Sequence, residues 1–253
     1  MTTERIPQLV GHRGDMVQYP ENSWPALQAA VDTGVCWLEF DVQMCADGGF
    51  VLLHDADFQR TGNDPRGVFE LDAQACSRIS VHCPERFAAR FFPAPVPLLD
   101  DVLEWLSAYP DVRAMVEIKT ESLKHFGREA VTCALLKVMA PYRNQCVLIS
   151  FDDEALHLAR KHVALGWVLY EYNDKSRQRA ERLKPQYLIC NERKIQRHET
   201  PWPGGWRWML YDIGDPQQAL DWAQRGVDLI ETGDICRLLK HPRLAGRACR
   251  HGL

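Results

Sequence analysis

The sequence lacks a long hydrophobic run. Its apolar segments, such as Cys146–Ile149, span only a few residues, whereas a membrane-spanning helix needs about 20. Residues 1–7 include charged side chains and contain no apolar stretch of the kind found in signal peptides. We therefore expect a cytoplasmic protein with no stable membrane insertion.

The sequence also lacks an excess of positive charge. Lysine and arginine total 30 and aspartate and glutamate total 34, which gives a formal net charge of −4. This balance excludes a general nucleic-acid binder, which would need a basic surface. No internal repeat, low-complexity segment or linker rich in glycine and serine is visible. We therefore expect residues 1–253 to form a single domain.

Cysteine is well represented but shows no CxxC pair. The nine cysteines are scattered along the chain. An odd number without motif spacing is typical of reduced thiols in a cytosolic protein. The sequence therefore predicts neither a disulfide framework nor a structural zinc site.

The dominant pattern is an alternation of short apolar strands with amphipathic helices. Several strands are apolar throughout, as expected where both faces of a parallel sheet are buried. The predicted strands are Gln8–Gly11, Val35–Val42, Ala114–Lys119, Cys146–Phe151, Leu165–Tyr170, Gln186–Cys190, Arg207–Tyr211 and Val227–Glu231. Eight strands alternating with helices predict a TIM (β/α)8 barrel, with a doubly wound sheet as the alternative.

One segment interrupts the alternation. After the second strand, Gly48-Gly49 predicts a turn and Phe50–Leu53 an extra short strand. Residues 55–97 then show little periodicity and several turn signals. We interpret them as a small insertion, which would lie on the catalytic face because it follows a strand.

Charged side chains occupy strand positions that are normally apolar. Glu39 and Asp41 alternate on one face of the second strand, and Glu117 and Lys119 do so on the third. Carboxylates brought together repel one another, and a hard divalent cation bound through oxygen would relieve that repulsion. Two histidines also follow strands: His12 comes after the first strand and His54 after the extra short strand. Both side chains suit general acid–base catalysis.

The ordered motifs resemble the glycerophosphodiester phosphodiesterase family. They are His12-Arg13-Gly14, Pro20-Glu21-Asn22-Ser23, Glu39-Phe40-Asp41-Val42, Asp47-Gly48 with His54-Asp55, and Glu117-Ile118-Lys119. The resemblance covers about residues 8 to 235. It implies a TIM barrel that hydrolyses a glycerophosphodiester to glycerol 3-phosphate and an alcohol.

Carried over to this sequence, the resemblance assigns roles to individual positions. The metal ligands for Mg²⁺ or Ca²⁺ would be Glu39, Asp41 and Glu117. The acid–base pair would be His12 and His54. Arg13 and Lys119 would contact the phosphate, Trp208 would contact the substrate, and Glu21 and Asn22 would support the site.

Other readings remain open from the sequence alone. The turn at residues 43–48 lacks the basic residue usual in the family, which leaves the preferred substrate undecided. One alternative is a phospholipase C/D-like phosphodiesterase acting on lysophospholipids. Others are a barrel aldolase with Lys119 as a Schiff-base amine and a non-catalytic glycerophosphate-binding protein. We expect a small-molecule substrate and no nucleic acid. A homo-oligomer is left open.

Overall fold

Parallel strands form the centre of the molecule. The computed structural model describes residues 5–196, 198–246 and Cys249. The strands are β1 (Gln8–His12), β2 (Trp37–Met44), β3 (Phe50–Leu52), β4 (Arg113–Ile118), β5 (Cys146–Ser150), β6 (Ala164–Val168), β7 (Tyr187–Asn191), β8 (Arg207–Tyr211) and β9 (Leu229–Thr232). All except β3 pair in parallel in the order β1-β9-β8-β7-β6-β5-β4-β2, and β2 pairs with β1 to close the ring. The predicted eight-stranded barrel is thus confirmed, and β3 pairs antiparallel to β2.

Helices surround the ring. They are α1 (Trp24–Asp32), α2 (Gln59–Gly62), α3 (Ala73–Cys76), α4 (Pro84–Phe87), α5 (Leu99–Ser107), α6 (Thr120–Phe126), α7 (Arg128–Met139), α8 (Asp153–Ala159), α9 (Asp174–Leu183), α10 (Pro216–Gln224), α11 (Ile235–Leu239) and α12 (Pro242–Ala245). Local sequence fixes their ends. The Ser23 side chain accepts a hydrogen bond from the amide of Ala26 to begin α1, and Asp215 begins α10 in the same way.

Alternation along each strand divides the apolar core into two layers. On β2, Leu38 and Phe40 pack outward against the helices. Trp37 faces the barrel interior and packs with residues such as Met115 and Met209. Because the period of a strand is two, Glu39 and Asp41 face the interior with Trp37.

The segment between β3 and α5 has a small core of its own. Phe58, Val68, Ile79 and Val81 are buried there against Val51 of β3. The segment holds three short helices, α2 to α4, and follows a strand pair at the carboxyl end of the barrel. The interpretation of about 55–97 as an insertion on the catalytic face stays a prediction. The assignment of residues 1–253 to one domain stays a prediction.

The expectation that all nine cysteines are reduced thiols is wrong for one pair. Cys36 and Cys249 form a disulfide, with Cα atoms 5.2 Å apart. The two positions are separated by 213 residues in the sequence, so no local spacing could reveal the pairing. Cys45, by contrast, is a free thiol and fully buried.

Across the part of the chain that the structure describes, the helices are too short or too polar to cross a bilayer.

Candidate active site

Three buried carboxylates meet at the carboxyl end of the barrel. Glu39 and Asp41 project from β2, and register places Glu117 of β4 directly beside Asp41. One oxygen of each lies within 4.8 Å of the others. Glu39 Oε1 is buried with no hydrogen-bond partner among the described residues. Oxygen donors this close, one of them unsatisfied, fit a hard divalent cation.

Two cationic side chains partly balance this cluster. Lys119 Nζ lies 2.8 Å from Glu117 Oε1 and 3.2 Å from Asp41 Oδ1. Arg13 Nε lies 2.9 Å from Asp41 Oδ2. Asn22 donates from Nδ2 to Asp41 Oδ2 at 2.9 Å and accepts from the Asp41 amide at 3.2 Å. The predicted phosphate-binding and supporting residues therefore surround the carboxylates.

A tight turn after β1 places Arg13. Its backbone has φ of 52°, in the left-handed region, and Gly14 follows with φ of 81°. A Cβ on Gly14 would lie 2.5 Å from the backbone of Ala26 in α1, so only glycine fits there. Backbone strain of this kind is found mainly at functional sites.

Both predicted histidines reach the same space. His12 Nε2 lies 3.4 Å from Glu231 Oε1 and 3.8 Å from Glu39 Oε2. His54 Nδ1 lies 2.6 Å from Asp55 Oδ1. An ionised carboxylate can only accept a hydrogen bond, so Nδ1 carries a proton. Nε2 is outside this bond and remains available for proton transfer.

A cavity of about 190 Å³ joins these groups. It is lined by His12, Arg13, His54, Glu117, Lys119, Ile149, Phe151, Val168, Ile189, Tyr211, Asp212 and Glu231. Cations, carboxylates and two histidines thus share one mouth with an apolar wall. Such a cavity suits a small anionic ligand with an uncharged portion.

Burial and charge set the protonation of the cluster. Burial, with Asp41 and Glu231 nearby, raises the pKa of Glu39. Burial acts on Asp41 too, but the charges of Arg13 and Lys119 outweigh it and lower the pKa of Asp41. Burial and the neighbouring Arg13 lower the pKa of His12 to about 3, so its imidazole is neutral at physiological pH.

Trp208, predicted to contact the substrate, is not among the residues that line this cavity. Its side chain packs in the outer layer between barrel and helices, and its Nε1 donates to the Trp202 carbonyl at 2.8 Å. On β8 the inward positions are Met209, in the inner core, and Tyr211, which lines the cavity. Within β8 it is Tyr211 that lines this cavity, and substrate contact by Trp208 stays a prediction.

Comparison with known proteins agrees with this geometry. The model of the glycerophosphoryl diester phosphodiesterase family matches residues 12–183, which is more than half of the chain. The chain belongs to this family.

The chain matches a different share of the length of each relative in the family. A glycerophosphodiester phosphodiesterase of Caldanaerobacter subterraneus subsp. tengcongensis is 28% identical over 64% of this chain and 66% of its own length. Human glycerophosphodiester phosphodiesterase 1 is 25% identical over 60% of this chain and 45% of its own length. The chain thus spans less than two thirds of these relatives.

Solved structures show the shared barrel. An Oleispira antarctica phosphodiesterase, in complex with the product sn-glycerol-3-phosphate, has a TM-score of 0.80 and 22% identity. The similarity covers 92% of this chain and 95% of that one. A Silicibacter pomeroyi structure described as a glycerophosphoryl diester phosphodiesterase has a TM-score of 0.79 at 23% identity, covering 97% and 95%.

Several charged residues of the candidate site were assigned no role from the sequence, among them Glu231 and Arg60. Glu231 is the third residue of β9, an acid beside apolar strand residues, which is the same signal that marked Glu39, and it contacts His12. Arg60 lies in the irregular insertion, where no periodicity marks a role, yet it contacts both Glu21 and Asp55.

Protons and a cation should compete for the carboxylate cluster. Burial raises the pKa of Glu39 and of Glu117, so both hold protons at a higher pH than a free side chain does. As the pH falls through these raised values, the oxygens become protonated and cation affinity should fall. We expect calorimetric titration with Ca²⁺ to show tighter binding in mildly alkaline than in mildly acidic buffer, with protons released on binding. Equal affinity in both buffers would contradict this assignment.

Proposed function

We propose that the protein hydrolyses glycerophosphodiesters to glycerol 3-phosphate and an alcohol. The observation that carries the proposal is the convergence of His12, His54, Arg13 and Lys119 with a carboxylate cluster on one small cavity. Membership of the family and the names of its relatives support this activity. An intact acid–base set also favours an enzyme over a glycerophosphate-binding protein.

Glu39, Asp41 and Glu117 would hold Mg²⁺ or Ca²⁺. A bound divalent cation supplies Lewis-acid stabilisation of charge on the phosphoryl oxygens. Arg13 and Lys119 would place two fixed positive charges beside the same phosphate, where the buried setting strengthens their effect.

The two histidines would divide the proton transfers. His12 is the proposed base, because burial beside Arg13 keeps its imidazole neutral, so that it would accept the proton of the attacking group, the glycerol 2-hydroxyl or a water. If the 2-hydroxyl attacks, the alcohol leaves and a cyclic phosphate forms, which water would then open to glycerol 3-phosphate. His54 is the proposed acid. This role requires the imidazolium form: Nδ1–H would stay bonded to Asp55, and the second proton, on Nε2, would pass to the departing alkoxide and leave His54 neutral.

A substrate panel tests the function. Glycerophosphodiesters of choline, ethanolamine, glycerol and inositol would be assayed with Mg²⁺ and with Ca²⁺, and released glycerol 3-phosphate measured. Lysophospholipids would be run in parallel, since the altered turn at residues 43–48 leaves substrate length undecided. We expect turnover of at least one glycerophosphodiester and its loss with a chelator. Binding without turnover across the panel would favour a non-catalytic role.

A further inference from the structure

Arg60 joins the inserted segment to two carboxylates of the candidate site. It lies in α2, and its guanidinium donates from Nη1 and Nη2 to the two oxygens of Glu21, at 2.7 and 2.8 Å. Its Nε donates to Asp55 Oδ2 at 2.6 Å. Three N–H groups of one planar fork are therefore used on two separate acids.

Each of those acids holds a different part of the proposed machinery. The second oxygen of Asp55, Oδ1, contacts His54 Nδ1 at 2.6 Å. Glu21 Oε1 also accepts from Arg13 Nη1 at 2.7 Å. A continuous set of charge-assisted bonds thus runs from His54 through Asp55, Arg60 and Glu21 to Arg13.

The two acids differ in burial, and both depend on Arg60. The side chain of Glu21 is only 5% exposed and that of Asp55 is 28% exposed. Burial raises the pKa of each, but the hydrogen bonds and charge of Arg60, together with those of Arg13 for Glu21 and of His54 for Asp55, outweigh it and the pKa of each is lowered. Without the guanidinium, Glu21 would keep only Arg13 as a cationic partner, and Asp55 would lose the bonds that fix its plane.

We propose that Arg60 is a positioning residue for the hydrolytic reaction. By fixing Asp55 it orients His54, and by fixing Glu21 it holds Arg13. The side chain of Arg60 is 45% exposed, so its effect is on geometry more than on packing of the core. The inference rests on the proposed function.

The chain offers a matched control in the same segment. Arg66 is 52% exposed and forms an ion pair with Asp64, with Nη2 2.5 Å from Oδ2. That pair is local, between residues two apart, and Arg66 does not line the site cavity. Loss of Arg66 removes a similar ion pair without touching His54 or Arg13.

The first test compares the kinetics of Arg60→Ala, Arg60→Lys and Arg66→Ala on the full chain. Misplacement of a catalytic group by about 1 Å can cost about 10²-fold. We expect Arg60→Ala to lower kcat by about that factor with little change in KM.

Arg60→Lys should recover only part of the lost kcat, because one ammonium cannot reproduce the planar fork of the guanidinium. Guanidinium ion, below denaturing concentration, should partly restore Arg60→Ala, while Arg66→Ala should keep the kcat of the unmodified protein.

Two further measurements separate positioning from folding. Asp55→Ala combined with Arg60→Ala should cost less than the product of the two single effects, since the part of the Arg60 effect that acts through His54 is already lost in Asp55→Ala. The imidazole N–H proton of His54 should give a slowly exchanging proton-NMR signal that is lost in Arg60→Ala and kept in Arg66→Ala. This signal requires no activity, so it tests the inference even if the unmodified protein hydrolyses no diester.

Clear results would overturn the inference. One is an unchanged kcat in Arg60→Ala when the unmodified protein is active. Another is a loss of kcat that is fully explained by a lower melting temperature of the variant. The third is an unchanged His54 proton signal in Arg60→Ala. Absence of activity in the unmodified protein together with loss of that signal in Arg60→Ala would instead contradict the proposed function alone.

Discussion

Replacing His54 by alanine should slow hydrolysis of diesters of choline or ethanolamine by about 10²- to 10⁴-fold, the usual contribution of a general acid or base. The aliphatic alkoxide leaves poorly without a proton, which His54 is proposed to donate. The p-nitrophenyl diester of glycerol 3-phosphate has a stable leaving anion, p-nitrophenolate, and needs little such help. We therefore expect His54→Ala to lose much less activity on that substrate. Steady-state rates on both substrates measure the difference.

His12→Ala should behave differently. Its proposed role is to accept a proton from the attacking hydroxyl, which every substrate requires, so both substrates should be slowed alike. His82→Ala is the control, because His82 lies in the insertion, contacts Ser80 and Phe92, and does not line the cavity. If His54→Ala slowed both substrates equally and His12→Ala spared the activated one, the two roles would have to be exchanged. Near-normal rates in either variant would remove that histidine from the mechanism.

The carboxylate cluster was predictable because charge marks the inward face of β2. Glu39 and Asp41 would be costly on the outer face, so alternation alone assigns them to the interior. β8 carries no comparable mark. Trp208 and Met209 are both apolar, and the period of two separates their faces without saying which one is inward. Only the closed barrel shows that Met209 and Tyr211 face the interior.

The missed contacts are those that depend on distant parts of the chain. Arg60 and Glu21 are 39 residues apart, and their contact depends on how the insertion folds back over the β1 turn. The Cys36–Cys249 pair spans 213 residues. Glu231 is a different case. It could have been found, since an acid beside apolar strand residues was the same signal used for Glu39.

A substitution at the candidate cation site should separate stability from cation binding. Glu39, Asp41, Glu117 and Glu231 face Arg13 and Lys119, so the fully ionised set has an excess of two negative charges. A divalent cation would neutralise that excess. Burial and like charges raise the pKa of Glu39 and of Glu231, so protons compete for this cluster at a higher pH than they do for free carboxylates.

Glu39→Gln keeps the shape of the side chain, removes one of the repelling charges, and gives the buried Oε1 position an uncharged group. In the cation-free protein we therefore expect an unchanged or higher melting temperature, most clearly above neutral pH. A carboxyl group whose pKa is raised in the folded state stabilises the protein at low pH and destabilises it as the pH rises. Removing the group therefore raises stability most at high pH.

The stabilisation gained on binding Ca²⁺ should, in contrast, decrease in Glu39→Gln. Saturation at about 100 times Kd stabilises a protein by ~2.7 kcal/mol, and Glu39→Gln should lose most of this because a ligand oxygen is gone. Affinity should fall about tenfold or more, equivalent to ~1.4 kcal/mol, and turnover should fall with it. Thermal unfolding with and without Ca²⁺ measures both effects, with Glu104→Gln on the exposed face of α5 as the control. A variant that still gained full stability from Ca²⁺ would show that the cation binds elsewhere, because Glu39 is shared by both groups of candidate ligands that the described residues offer.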